Sequence, residues 1–570
     1  MFKRILKLSV CALLLITMVL GAVACNPKPS EETFKEAQKD SVGDALTQID
    51  NISNNIAGAD PNNVSRDISV KVNLSAECLA ILSELADDEN MSWINNLKLN
   101  ISQNTKNNVQ STALTLLSGS KEIVSANSIT DMGAGAIYMA IPVLASEYLK
   151  IDLDDFAQEN APYLNQMMSE MLTGTSSVLP DAETVKKLVE KYYGIFVDSF
   201  GEVEINKKSS ISIGDIEEDC IEYTSVMTQN DVLNTAITIL KKMKSDKDIK
   251  NIVENLATIY ASDSSEDFYE QFTDAIDTAI EQIEEGKSEL EKPNSKAIVW
   301  TSYTNKKAEV LATSFKINVS DDKTYTAFWG KLQKKKNIAS EMWVKEGKTK
   351  LVHIEGEFVE DKDLLSGTYK IKANDTKMLT INIDEINTKQ LDEGYLNGSI
   401  TISPDEGLAD TLENYEFGNI TAASLSLKFT FEHTKESFKV KTSVLNNKSN
   451  FFSITVDSKV GEGKKISIPK DVVTDPGEWS DKFNYDNLES KLTEGGIPEN
   501  IVDAVTGSMS GSSTPDDVEN DYDTGYNDGY TAGWSDALYG YEYDDSSYGS
   551  NNYKKGYKDG YYEGYIEGLN

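Results

Sequence analysis

The chain has 570 residues, with 93 acids against 55 bases and a formal net charge of −38. Charge of that sign excludes nucleic acid as a partner, because neutralising phosphates takes cations. Arg4 and Arg66 are the arginines, so almost no bidentate guanidinium is left for carboxylate or phosphate recognition. The acids are spread along the chain, which reads as a solvated surface, with loose Ca²⁺ binding as the alternative.

The N-terminus, MFKRILKLSVCALLLITMVLGAVAC, sets basic Lys3, Arg4 and Lys7 before an apolar run from Leu8 to Ala24. This is the pattern of a signal peptide, 1–24, removed before folding matters. Ala22-Val23-Ala24-Cys25 resembles a bacterial lipobox, which implies that Cys25 is the lipidated first residue of the mature protein; Ala-x-Ala also suits simple secretion. Removing 1–24, which carries three bases and no acid, takes the formal charge from −38 to −41. The expected location is the outer face of the cytoplasmic membrane, tethered through acyl chains on Cys25. Cys78 and Cys220 then remain. They either stay as buried thiols or pair with each other, which an oxidising compartment permits.

After a polar tether (25–34), "FKEAQKDSVGDALTQIDNI" predicts an opening helix. "DISVKVNL" puts Ile68, Val70, Val72 and Leu74 on one face of a half-buried strand, and 96–102 and 112–117 continue as strands. Residues 135–152 read as strand, proline-marked turn and strand. Then come a helix in "DAETVKKLVEKYYGIFVDSF" and a hairpin pair, 202–213 and 219–228. Asn230 can cap a helix carrying Val232, Leu233, Ala236, Ile237, Leu240 and Met243 on one face. Two more helices follow, through Ile249–Leu256 and Phe268–Ile283.

From Pro293 strand follows strand, parted by short polar turns such as "ANDT" and "NNKSN". Short turns imply antiparallel neighbours. The expected fold is therefore α+β: large curved antiparallel sheets with packed helices, split into a mixed α/β domain (35–292) and a β-rich domain (293–505). A Ser/Gly-rich linker is expected at 506–520, followed by a repeat hairpin at 521–570.

The lipobox, "DISVKVNL", "IYMAIPVLASEYLKID" and "CIEYTSVMTQNDVLNTAITILKKM" together resemble uncharacterised lipoproteins of low-GC Gram-positive bacteria, over roughly 35–500. More distantly this stretch is similar to the LolA/LppX-type carriers, which implies a curved sheet cupping helices around a lipid-sized cavity. The resemblance lies in hydrophobic pattern, not in catalytic signatures, and fold analogy assigns no ligand.

Signs of catalysis are few. His353 and His433, the two histidines, sit in strand-like runs, and no zinc spacing or nucleophile elbow occurs. "EGKTK" (346–350) lacks the glycine of a phosphate loop, and "DYDTGYNDG" (521–529) misplaces the ligands of a calcium loop. The expectation is a non-catalytic protein without cofactor or metal.

The tail holds two copies of one pattern. Gly525, Gly529 and Gly533 run beside Tyr522, Tyr526, Tyr530 and Trp534; Gly556, Gly560, Gly564 and Gly568 run beside Tyr553, Tyr557, Tyr561 and Tyr565. On a helix a spacing of four is a continuous ridge. A small ridge beside an aromatic one admits a second backbone between the rings. Each glycine costs about 1 kcal/mol against alanine, so these helices are predicted to form only when packed, as an αα-hairpin hinged near 544–552. The pattern resembles the Gly-x-x-x deca-repeat of a eukaryotic iron–sulfur adaptor family, whose role does not carry to an exported chain. A strand or a disordered tail is the competing reading. Two functions are thus in view: a binding or carrier module for an apolar ligand, or a structural surface protein that assembles with a protein partner through its tail.

Overall fold

The computed structural model describes residues 29–57, 63–85, 91–152, 182–260, 265–290, 292–320, 323–412, 416–417, 420–510, 517–539 and 551–568. The expected signal peptide, Cys25 and most of the expected hinge lie outside them. The chain divides into two compact units. The first is Met1–Leu116, Ala126–Met139 and Tyr148–Thr474; the second is Leu117–Ser125, Ala140–Glu147 and Asp475–Asn570.

In chain order the elements begin α1 (Glu31–Ala57), β1 (Asn63–Leu74), α2 (Ala76–Leu85), β2 (Leu97–Lys106), β3 (Val109–Ser118), β4 (Lys121–Asp131), β5 (Ala136–Ala140) and β6 (Tyr148–Asp152). Next are α3 (Ala182–Asp198), β7 (Val203–Ile213), β8 (Ile216–Thr228), α4 (Gln229–Lys244), α5 (Lys247–Tyr260) and α6 (Ser265–Ser288). The strand series continues with β9 (Lys296–Thr304), β10 (Val310–Ser320), β11 (Lys323–Lys334), β12 (Asn337–Glu346), β13 (Thr349–Asp361), β14 (Leu364–Ala373) and β15 (Thr376–Asn387). Then come α7 (Thr388–Asp392), β16 (Gly398–Pro404), α8 (Glu406–Leu412), the small ribbon β17 (Glu416–Phe417) with β18 (Ile420–Thr421), β19 (Leu425–His433), β20 (Ser437–Asn446), β21 (Ser449–Glu462) and β22 (Val472–Val473). The chain closes with α9 (Pro476–Ser480), α10 (Tyr485–Glu494), α11 (Glu499–Ser510), α12 (Asp517–Tyr539) and α13 (Asn551–Gly568).

One large, mostly antiparallel sheet dominates the first unit. Each strand from β7 to β16 pairs with the next in sequence, β19 joins β16, and β20 and β21 follow. The N-terminal strand β1 then docks beside β21, with Val64↔Glu462 to Leu74↔Phe452, and β2 pairs with β1. Tight turns make this possible. Lys362-Asp363, Asn374-Asp375 and Asn447-Lys448 all hold positive φ, as two-residue turns matching the strand twist require. The fold class is α+β with a C-terminal helical hairpin, as the sequence predicts.

The expected boundary at 293 is not one. β8 pairs with β9 across it, from Ile221↔Thr304 to Thr228↔Lys296, so the two expected domains share a sheet. The expected linker is likewise partly helical: 506–510 end α11 and 517–520 begin α12. The cap of α4 is Thr228 rather than Asn230. The Asp231 amide donates to Thr228 Oγ1 at 3.2 Å and the Thr228 amide donates to the Asp231 carboxylate at 2.9 Å, a reciprocal capping box that outcompetes the later side chain.

Helices α1 and α3 lie on one face of β8–β10. Phe34, Val197, Phe200, Tyr223, Met227 and Trp300 form the core there, with ring centroids 4.8–4.9 Å from Trp300 to Phe34, Phe200 and Phe315. On the other face, Ile211, Ile213, Ile216 and Cys220 of β7–β8 pack over Ala312, Leu332 and Ala339, so this end of the sheet rolls onto itself. Gly330 permits the roll: a β-carbon there would meet Ile213 Cδ1 at 2.7 Å.

Cys78 and Cys220 are free thiols, buried in different clusters. Cys78 packs with Ile81, Ile420 and Phe451, and Cys220 packs in the roll, so the pairing the sequence permits does not form. Burial raises both thiol pKa values, which leaves them weak nucleophiles.

Candidate apolar binding face

Strand side chains alternate between faces, so register decides which residues share one. From β14 to β1 the register aligns apolar residues with apolar ones. Tyr369 pairs with Ile381, then Ile402, Leu427, Val444, Phe452 and Leu74. The next row is Ile383, Ile400, Phe429, Thr442, Ile454 and Val72, and the one after it runs from Phe431 through Val440, Val456 and Val70 to Leu99. The opposite face is polar in every strand: Lys370 and Thr368 beside Thr380 and Asn382, then Ser403 and Thr401, Lys428 and Thr430, Ser443 and Lys441, Ser453 and Thr455.

The apolar face is the same one that α1 and α3 cover further along the sheet, at Trp300 and Phe315. Its far margin is covered too, where α2 sets Cys78 and Ile81 against Leu74, Val444 and Phe452. Between these margins α8 packs against Thr376 and Met378 at the end of β15, and the rows themselves are half-buried. None of the side chains in the three rows reaches full burial, and Leu427 and Ile454 stay 36% and 38% exposed. Scattered exposed apolar side chains are ordinary, but a contiguous apolar surface marks a contact site. Strand-by-strand alternation was legible in "SFKVKTSVL" or "GSITIS"; that the alternations coincide in space was not.

The other candidates resolve differently. His353 is buried, its Nε2 2.8 Å from the Glu341 carboxylate and its Nδ1 3.4 Å from Glu355. Lys350 and Lys372 complete the cluster, Lys372 at 2.7 Å from Glu355. Burial opposes ionisation of Glu355, but its lysine and histidine neighbours outweigh that and lower its pKa. His433 is buried between the rings of Tyr395 and Phe438, each 5.1 Å away, and its Nδ1 accepts from the Leu396 amide. Both histidines are thus engaged by the fold. Among the described residues no group of histidine, cysteine and acids has the geometry of a metal site, and no helix is long and apolar enough to cross a membrane. A pocket of about 660 Å³ is lined by Glu217, Glu218, Asp219, Asn305, Lys306, Lys307 and Lys334; its walls are charged and unsuited to an apolar ligand.

The tail is a hairpin in which α12 and α13 meet along their glycines. β-Carbons at Gly525, Gly529, Gly533, Gly556, Gly560 and Gly564 would fall 2.7–2.9 Å from a tyrosine carbonyl carbon on the other helix, and one at Gly568 would fall 2.7 Å from the Trp534 carbonyl oxygen. No real β-carbon sits that close, so every ridge glycine is required by the approach of backbones. The two copies serve each other reciprocally: Gly560 faces Tyr526 and Gly529 faces Tyr557. The tyrosines stack along each helix, with 6.0–6.2 Å between centroids from Tyr553 to Tyr565. Sequence reasoning missed their hydroxyls. Tyr522 donates to Asp559 and Tyr553 to Asp528, both at 2.7 Å, while Tyr526 donates to Glu563, Tyr530 to Glu567 and Tyr561 to Asp536. The acids that looked like solvated filler are the second half of the interface.

Comparison of the chain with protein-family models, with curated proteins and with solved structures returns no match.

Proposed function

We propose that this chain is a non-catalytic, extracytoplasmic lipoprotein, anchored to the membrane through Cys25, that binds an apolar ligand on the open face of its sheet. The observation that carries the reading is the coincidence of apolar rows across β14, β15, β16, β19, β20, β21 and β1, in which no side chain is fully buried and Leu427 and Ile454 are exposed. A face of this size in water costs free energy, about 25 cal/mol for each Å² of apolar surface that a ligand could bury. The lipid anchor implied by the N-terminal sequence would hold that face beside a source of hydrophobes. The tail supports assembly less well, because its two glycine ridges are already spent on each other.

Native mass spectrometry of the purified full chain tests this. A hydrophobe in near-stoichiometric amount is expected. Ile454→Glu and Leu427→Glu should lose it, and Lys441→Glu on the polar face should keep it. Wild-type protein that is free of ligand and takes up none would overturn the binding reading. Cys25→Ser should release the protein from membranes; unchanged retention and maturation would remove the anchor.

A further inference from the structure

The face is not uniformly apolar at its edge. Arg66 lies on β1, two and four residues before Ile68 and Val70, and so on the same side of the sheet as the rows. Its register partners are Gln103 on β2 and Val460 on β21, with Ser458 diagonal to it. It is half-buried. From β15 to β2, Arg66 is the cation that the register places on this face among the described residues; the lysines of these strands, such as Lys71, Lys428 and Lys441, fall on the other side. The nearest acid in register on the face is Glu462, exposed at the strand end opposite Val64.

The choice of residue matters. Arg4 and Arg66 are the arginines among 55 basic residues, so a lysine-rich chain has its one arginine beyond the signal region at this margin. A guanidinium offers five donors in a planar fork, able to hold a carboxylate or phosphate through two of them while others stay bonded to protein. Along β1, Arg66 and the covered margin at Leu74 are eight residues apart, about 26 Å at 3.3 Å per residue. That exceeds the half-thickness of a hydrocarbon core of about 30 Å, so an acyl chain of ordinary membrane length fits between them.

We infer that the ligand class is an anionic phospholipid, with its acyl chain laid along β1 across the ends of the apolar rows and its phosphate on Arg66. The inference rests on the apolar-face reading above and adds the headgroup. In a protein of formal charge −38, long-range repulsion disfavours anions, so a preference for one requires a local contact such as this.

The test is calorimetry on the full chain with Cys25→Ser, comparing palmitoyl lysophosphatidylglycerol with monopalmitoylglycerol, a neutral lipid with the same chain. A preference of about tenfold for the phospholipid is expected, the size of one charge-assisted hydrogen bond. Arg66→Gln should abolish the preference and leave the affinity for monopalmitoylglycerol unchanged, while Arg66→Lys should retain part of it. Inorganic phosphate should not compete. Equal wild-type affinities, or an Arg66→Gln variant weakened equally toward both lipids, would overturn the headgroup site and leave the apolar face standing. Competition by inorganic phosphate would make Arg66 an ion site and overturn the lipid. If neither lipid binds, the headgroup site and the apolar-face reading fall together.

Discussion

Gly560 shows how a single atom sets the tail. Alanine is the better helix former by about 1 kcal/mol, yet a β-carbon there would stand 2.7 Å from the Tyr526 carbonyl carbon. Backbone cannot rotate away as a side chain can, so overpacking of about 1–3 kcal/mol should win. Gly560→Ala should therefore speed amide exchange across both α12 and α13 in hydrogen-exchange mass spectrometry, and Gly560→Leu should do so more strongly. The outward Lys558→Ala should not. Slower exchange in Gly560→Ala would mean that propensity rules. Trp300 is the corresponding residue of the main core. It is fully buried, and Trp300→Ala should cost about 3–5 kcal/mol. Its indole N–H finds no hydrogen-bond partner among the described residues, so Trp300→Phe should cost distinctly less, because it removes an unsatisfied donor along with the volume. Urea unfolding of both variants measures the difference.

At the scale of elements, two predictions separate geometry from composition. Thr228→Ala removes one half of the α4 capping box and should destabilise the protein by about 1 kcal/mol, whereas Asn230→Ala, inside the first turn, should be nearly neutral. Thermal denaturation of the pair decides it. In the tail, the hydrogen bond to Glu563 pushes the Tyr526 pKa up to about 12, and that to Glu567 raises Tyr530. Unfolded tyrosine titrates near 10. The neutral phenols are the bonded form, so this stabilisation is whole below about pH 10 and is lost as pH climbs through about 12. Tyrosinate absorbance should show late-ionising tyrosines whose titration coincides with rising exchange in α12 and α13. Glu563→Gln should bring Tyr526 back toward its ordinary value.

For each unit as a whole, the free cysteines and the open face bear on stability differently. Cys78 and Cys220 lie in separate clusters, so a reducing agent should leave the melting temperature of the purified chain unchanged; a drop would mean that a disulfide forms after all. Charges introduced on the open face, as in Ile454→Glu, should cost far less stability than a core truncation such as Trp300→Ala, because Ile454 is already 38% exposed. A loss as large as that of Trp300→Ala would show that the face is covered.

The sequence by itself determined the local elements: period-two alternation made the strands, period-four ridges made the tail helices, and both patterns are properties of neighbouring residues. It also pointed to close packing of Gly525 to Gly568, because a missing side chain explains glycine at a cost in propensity, but the choice of a packed helix over a strand or a disordered tail came from the tertiary structure. What it left open depends on residues far apart in the chain. The docking of β1 beside β21, the union of the two expected domains in one sheet, the separation of Cys78 from Cys220 and the reach of Tyr526 to Glu563 are all set by register between distant segments. The apolar face is of this kind. Each strand's alternation says only that one side is apolar; a slip of one residue would turn that side to the other face. Whether the apolar sides coincide, and whether Arg66 stands at their edge, is fixed only when backbone hydrogen bonds choose the register.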